Sequence, residues 1–444
     1  MKITRRDALR IAAGALLAPT ALAAPKNKTR GLTPPSAPLP LPPWSYGTSS
    51  AATDTVLMFR GNPAHTFYGT GPIPTAPKQL WTFKLGFLER MLRDKPKRWV
   101  GTGWTGQAAK LGGWVFIGAV DGFLYALDAE TGALGWKLQG GDMFKCSVCV
   151  YENRLYIGNV DNHLRCVDAA TGELVWSINT GKDLDSSPCV VGDRLYVTGE
   201  SGYAWCIEPR TGKVIWKTHI GGTGPGTLLG SNGSETSPAV VDGALYAATY
   251  DGVLLCLDTA TGRIRWKANT GDDTDVSPVV SGGRLVIAPE EAAPFVLCFD
   301  LEGRLLWKFD EAKGEADSAP PPPASKERTN GSGTYGGQGY WSTPAVVDGK
   351  VYAASQTGRV HRLSLETGAP DWSVKMGASI WSSPCVVDGR VVFGSSKGTL
   401  NMLDAATGAE VWSHPLSGGC ISTPCIVGGR IYVGDGGGTF HCFG

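Results

Sequence analysis

Apolar and polar residues alternate in short runs along most of the chain, a period of two that predicts strands rather than helices. Asp161–Trp176, DNHLRCVDAATGELVW, shows the pattern in full. Leu164, Cys166 and Asp168 mark one strand, Thr171-Gly172 supplies a turn with positive φ, and a second apolar run ends on Trp176. Asp121–Trp136, Asp251–Trp266 and Lys397–Trp412 repeat it; Ser201–Trp216 and Thr357–Trp372 are looser copies. Phe295–Trp307 is a shortened one, with Glu302-Gly303 in place of Thr-Gly. Upstream of each copy stands another hairpin, typified by Ser186–Val197, SSPCVVGDRLYV, and recurring from Ser237, Ser342, Ser382 and Ser422. Its turn is Asp-Gly, Gly-Gly or Gly-Asp. The unit is therefore four short antiparallel strands, A to D. Trp136, Trp176 and Trp216 are 40 residues apart, as are Trp372 and Trp412. Four strands per period of about 40 residues predict a β-propeller blade.

The repeat tryptophans are Trp81, Trp136, Trp176, Trp216, Trp266, Trp307, Trp372 and Trp412, which predicts eight blades in an all-β fold. Gln79–Phe83 reads as a strand D with no strands A to C before it, whereas Ile421–Phe443 supplies A, B and C without a D. The N-terminal strand should therefore complete the last blade and close the ring, leaving no open edge between first and last blades. The repeat A-x-D-x-x-T-G-x-x-x-W, complete at Ala126-Leu127-Asp128, Thr131-Gly132 and Trp136, resembles the tryptophan-docking propellers of the quinoprotein (PQQ) dehydrogenase superfamily. The lead-in Arg60–Thr66, RGNPAHT, is similar to the start of the smaller non-catalytic members, such as the propeller that assists outer-membrane β-barrel assembly. The resemblance covers about residues 55–444. It bears on the fold far more than on the function.

Composition adds a leader and a tether. Met1–Ala23 carries Thr4-Arg5-Arg6, a short apolar run and the cleavage-like Ala21-Leu22-Ala23; Thr-Arg-Arg-x-x-Leu resembles a twin-arginine export signal. Residues 24–53 are rich in Pro and Ser and read as a linker, and 54–444 as the propeller. The formal net charge is +1; removing residues 1–23 takes away four basic and one acidic side chain and leaves 37 basic against 39 acidic, or −2. Such a balance favours neither nucleic acid nor an anionic membrane as partner. No apolar stretch after the leader is long enough to span a bilayer. The expectation is an exported, periplasmic monomer.

Spacing also locates the decorations. The longer intervals, Trp81 to Trp136, Trp216 to Trp266 and Trp307 to Trp372, place extra residues at about 86–103, 221–234 and 310–339. All three are D-to-A connections and so emerge on one face, which is expected to be the functional one. The residue three before the Pro of each S-S-P box, or its equivalent, should ring the channel mouth on that face. In blade order it is Trp104, Lys145, Asp185, Glu235, Asp275, Trp341, Trp381 and Ile421. One arc is acidic with Lys145 beside it, and the other is aromatic or apolar. Such a ring suits a cation with an apolar or planar body. Mutual repulsion among Asp185, Glu235 and Asp275 should raise at least one carboxyl above its ordinary range.

Other residues carry less. Nine of the 11 cysteines fall in two repeat-defined small slots, and same-blade pairs would be about 9.5 Å apart, too far for a disulfide. Buried free thiols are expected. The six histidines show no ligand spacing, and no metal ligand or catalytic residue is assigned. The resemblance leaves two main readings: a scaffold that binds a protein or small molecule, or a PQQ- and Ca²⁺-dependent oxidoreductase. The family's enzymes carry adjacent cysteines and are much longer; no Cys-Cys occurs here, so the binding reading is preferred and no cofactor is expected. Glycoside chemistry by Asp185 and Asp275 has only residue type in its favour.

Overall fold

Each four-strand unit folds as its pattern predicts, and eight of them form the ring. A computed structural model describes residues 55–92, 95–102, 106–221, 233–290, 295–321 and 339–444; the leader, the linker and Trp104 lie outside these. Blade one is Ala109–Leu111, Trp114–Gly118, Phe123–Asp128 and Leu134–Gln139. The next six begin with Cys149–Tyr151, Cys189–Val191, Ala239–Val241, Val279–Ser281, Ala345–Val347 and Cys385–Val387. Blade eight takes Cys425–Val427, Arg430–Gly434 and Thr439–Phe443 from one end of the chain and Gln79–Lys84 from the other. Trp81 stands opposite Cys442, and Lys78 and Gly444 exchange backbone hydrogen bonds of 2.9 and 3.0 Å, so the ring closes as expected.

The turn chemistry explains the hairpins. In the A–B loop of blade four, Asp242 and Gly243 have φ of 46° and 73°, the left-handed pair that joins two strands without splaying them. In the C–D turn, Asp128 Oδ1 accepts from the backbone N–H and hydroxyl of Thr131, while Gly132 N–H donates to Asp128 O.

Within a blade the same rung recurs. In blade two it is Cys149, Tyr156, Cys166 and Trp176, directly opposite one another on successive strands. A tyrosine separates the two thiols, and small flanking residues leave room for the ring. All eleven cysteines are buried and free.

Blades are joined by three devices. First, the indole N–H of Trp81, Trp136, Trp176, Trp216, Trp266, Trp307 and Trp372 donates to a carbonyl of the following blade over 2.8–3.3 Å. The turn glycine of that blade lies flat on the indole: a methyl on Gly172 would come within 2.6 Å of Trp136. Trp412 faces blade eight, whose C and D strands come from distant parts of the sequence with no C–D turn between them; it packs instead on His414 and Phe443.

Second, a belt of hydroxyls runs round the inner strands. Gln107 N–H donates to Ser147 Oγ, Ser147 to Ser187, Ser187 to Ser237, Ser237 to Ser277, Ser277 to Thr343 and Thr343 to Ser383. Third, residues 56–70 cross the axis at the A–B end. Leu57 O, Pro63 O and Ala64 O accept from Val150, Val240 and Val280, and Thr70 N–H donates to Ile426 O. Arg60 is fully buried and donates to carbonyls of Thr343, Pro344 and Pro384, bridging blades six and seven. The residue types of this stretch predict only a loop; it is a plug that fills the far end of the axis.

Two decorations are partly described. Phe87–Leu92 and Lys95–Val100 pair as a separate two-stranded antiparallel sheet, whose Leu88 and Trp99 pack on Val120, Met143 and Val160. The third begins with Glu315–Asp317, which adds a fifth strand to blade five; residues 322–338 lie outside the described residues, as do 222–232 of the second.

Candidate functional site

The residues before each inner strand share one environment. Lys145, Asp185, Glu235, Asp275, Trp341, Trp381 and Ile421 are all largely but not fully buried as whole residues, whereas the strands they precede are buried. The common setting follows from the repeat, because each occupies the same step where the D–A connection turns inward. Trp104, the remaining member of the expected ring, falls outside the described residues.

Two groups of this ring are brought into contact. Lys145 Nζ lies 2.7 Å from Asp185 Oδ2, bridging blades two and three. The Trp341 and Trp381 rings, on blades six and seven, are tilted at 54° with centroids 4.3 Å apart. The acidic arc is larger than the sequence reading made it. Asp185, Glu235 and Glu200 each turn one carboxylate oxygen to within 4.8 Å of the others. Asp273, Asp275 and Glu290 form a second such group. Tyr250 Oη, spanning blades three and four, lies within hydrogen-bond distance of both Glu200 (3.0 Å) and Glu235 (2.8 Å), and its single proton serves one of them at a time. Asp185 and Glu235 share the first group, and Asp275 belongs to the second.

Glu200 and Glu290 escaped the sequence reading, yet a signal was there. They stand six residues after Arg194 and Arg284, which open strand B in blades three and five. The same repeat comparison applied to B–C loops puts Val120, Val160, Tyr250, Gln356, Ser396 and Gly436 at the equivalent place. Acidic residues there mark blades three and five alone.

Electrostatics follow from burial. The Asp185 side chain is 5% exposed. Burial pushes its carboxyl up to about 7; Lys145 opposes this, while Glu235 and Asp183 add to it. The expected upward shift is present, but desolvation leads and repulsion is secondary. Lys145 is held above its ordinary value: burial alone would lower it, and Asp185, Glu235 and Glu200 together more than compensate. Asp183 is also raised, by burial first. Asp185 Oδ1 is buried and accepts no hydrogen bond among the described residues.

Behind the aromatic side, Glu311 accepts from Tyr340 Oη (3.0 Å), meets His361 Nε2 (2.9 Å) and bonds Thr357. Burial would raise Glu311, but these partners keep it below its ordinary range. The network fixes the start of the third decoration against blade six. At the other end of the axis, burial lowers the neutral His65 to about 4, with Arg60 contributing.

The described carboxylates suit a divalent cation or an organic cation. Carboxylates alone do not complement the quinone. PQQ bears three carboxylates, and among the described residues Lys145 and Arg90, set against these acids, are paired with Asp185 and Asp142. The arrangement could hold a cation.

Comparison with known proteins agrees with this architecture. A family model described as outer membrane protein assembly factor BamB, of the PQQ-repeat type, matches residues 74–302, 226–337 and 292–443. Among solved structures, BamB from Moraxella catarrhalis is 16% identical, with a TM-score of 0.62 over 83% of this chain and 99% of that one. A quinohemoprotein alcohol dehydrogenase from Comamonas testosteroni is 18% identical, with a TM-score of 0.71 over 89% and 81%. Another, from Pseudomonas putida HK5, is 16% identical, with a TM-score of 0.66 over 88% and 80%. These likenesses establish a fold shared with an assembly factor and with alcohol dehydrogenases. No curated protein matches the sequence. Among the described residues no helix is long and apolar enough to cross a membrane. With the family model spanning most of its length, the chain belongs to the BamB-like family of PQQ-repeat β-propellers.

Proposed function

We infer that the protein is an exported, periplasmic binding scaffold whose decorated mouth takes a positively charged group with an apolar body. The partner is a small organic cation or a basic-aromatic segment of another protein. Two observations support this reading: the clustering of Asp185, Glu200 and Glu235, and the contact between the Trp341 and Trp381 rings. The buried Asp185 Oδ1 offers an acceptor, and the indoles offer a surface for stacking.

A Lys-Trp dipeptide amide is the first probe, titrated calorimetrically into the purified chain. Saturable binding is expected, lost on joint Asp185→Asn, Glu235→Gln and Asp275→Asn substitution and weakened by roughly 1–2 kcal/mol in Trp341→Ala or Trp381→Ala. Binding that survives the triple substitution would refute the mouth as the site. The alternative, a PQQ- and Ca²⁺-dependent oxidoreductase, draws on the two carboxylate clusters as cation ligands. Stoichiometric uptake of PQQ in the presence of Ca²⁺ would favour it over the scaffold.

A further inference from the structure

Among the described residues, one blade edge in this ring is covered by a fifth strand and a matching one is not. The outer strand of blade five, Leu305-Leu306-Trp307-Lys308, pairs with the fifth strand Glu315–Asp317, with Lys308 opposite Asp317 and Phe309 opposite Ala316. Lys308 Nζ lies 3.3 Å from Asp317 Oδ1 and 5.1 Å from the centre of the Phe295 ring. Trp307 and Lys308 are consequently buried.

Blade three carries the same four-residue pattern in Val214-Ile215-Trp216-Lys217, two aliphatics, Trp and Lys, and it occurs in no other of the eight outer strands. The aromatic support is repeated as well: Lys217 Nζ sits 3.9 Å from the centre of the Tyr203 ring, and Tyr203 holds the place of Phe295. Yet Val214 and Ile215 are each 39% exposed, and Lys217 has no carboxylate at ion-pair distance among the described residues. Lys213, Lys217 and His219 make this edge basic. The segment that follows it, residues 222–232, contains no acidic residue and so is unlike Glu315–Asp317 in chemistry.

We propose that the outer edge of blade three, Val214–His219, is a strand-addition site for an extended acidic segment of a partner protein, which would cover it as Glu315–Asp317 covers blade five. An open edge offers backbone hydrogen bonds to a fifth strand, alternate side chains of that strand cover the aliphatic pair, and an acidic residue on it meets Lys217. The edge is separate from the mouth and stands or falls independently of the ligand proposed there.

A labelled synthetic peptide with the sequence of residues 312–319, AKGEADSA, is the probe, titrated into the full chain up to millimolar concentration. Saturable binding is expected, with slowed backbone hydrogen exchange over residues 214–219 and unchanged exchange over 305–310. Lys217→Glu should weaken binding by about tenfold and the milder Lys217→Gln by about threefold, the range of a charged pair beside apolar contacts. Ser177→Glu, on the outer strand of blade two, should change nothing. A peptide carrying Glu315→Lys and Asp317→Lys should not bind. Absence of saturable binding, equal binding by Lys217→Glu, or protection confined to another blade would overturn the proposal. So would sedimentation showing a dimer that Lys217→Glu dissociates, because the edge would then be filled by a second copy.

Discussion

Asp185 and His65 bring opposite pH dependence to one molecule. Asp185 titrates near 7 in the folded chain against an ordinary value near 4. Below about pH 4 it is protonated in both states; between about 4 and 7 the unfolded chain loses the proton first, so rising pH removes stability. His65 is lowered to about 4, so falling pH protonates the unfolded chain first and removes stability between about 6.5 and 4. His65→Gln should flatten the acid side of a melting-temperature profile; an unchanged acid slope would show that His65 is not its source. A cation at the mouth should prefer ionised Asp185. Its affinity is therefore expected to rise from pH 5 to 8, by at most about tenfold per unit, and to become pH-independent in Asp185→Asn. Calorimetric titration across that range decides it, and a flat profile in the unsubstituted protein would remove Asp185 from the site.

At the level of elements, the turn glycines do two jobs. Gly172 needs its φ of 73°, and it also lies on the Trp136 indole. Gly172→Ala should therefore cost more than left-handed strain alone, about 2–4 kcal/mol with the overpacking included, read as a shift in chemical denaturation midpoint. Gly192, at an A–B turn with open space around it, should cost only about 1 kcal/mol on the same change. Equal costs would show that docking on the tryptophan adds nothing. These hairpins were legible in the sequence because each carries its own turn residues and period. The closing strand was legible because an unpaired D at one end matched a missing D at the other. The plug was not, since residues 56–70 have no period and are held by carbonyls and amides of other blades. Arg60 in particular looks like any surface arginine until Thr343, Pro344 and Pro384 surround it. At the mouth, strand-A positions were legible as a set, but Glu200 and Glu290 come from another loop and needed the ring's curvature to meet Asp185 and Asp275.

For the whole molecule, the ring and its plug make stability a shared property. A propeller built of repeats would fray from its ends if its first and last blades were free. Here Gln79–Lys84 pairs with Thr439–Phe443, and Arg60 ties blades six and seven from inside. Arg60→Met removes the cation and leaves three buried carbonyls short of a donor, so a loss of about 3–5 kcal/mol is expected, the scale of a broken buried charge network. Deleting residues 437–444 takes away the third strand of blade eight. That removes the partner of Gln79–Lys84, strips the Trp81 indole of Phe440 and Cys442 as neighbours, and exposes an edge on each side of the gap. Because Trp81 also donates to Ala129 O, the loss reaches blade one. The truncated chain should then melt at a lower temperature as a whole, with hydrogen exchange accelerated in blades on both sides of the seam. A melting temperature equal to that of the full chain would mean that closure contributes nothing; faster exchange confined to blade eight would mean that the other seven blades stand without it.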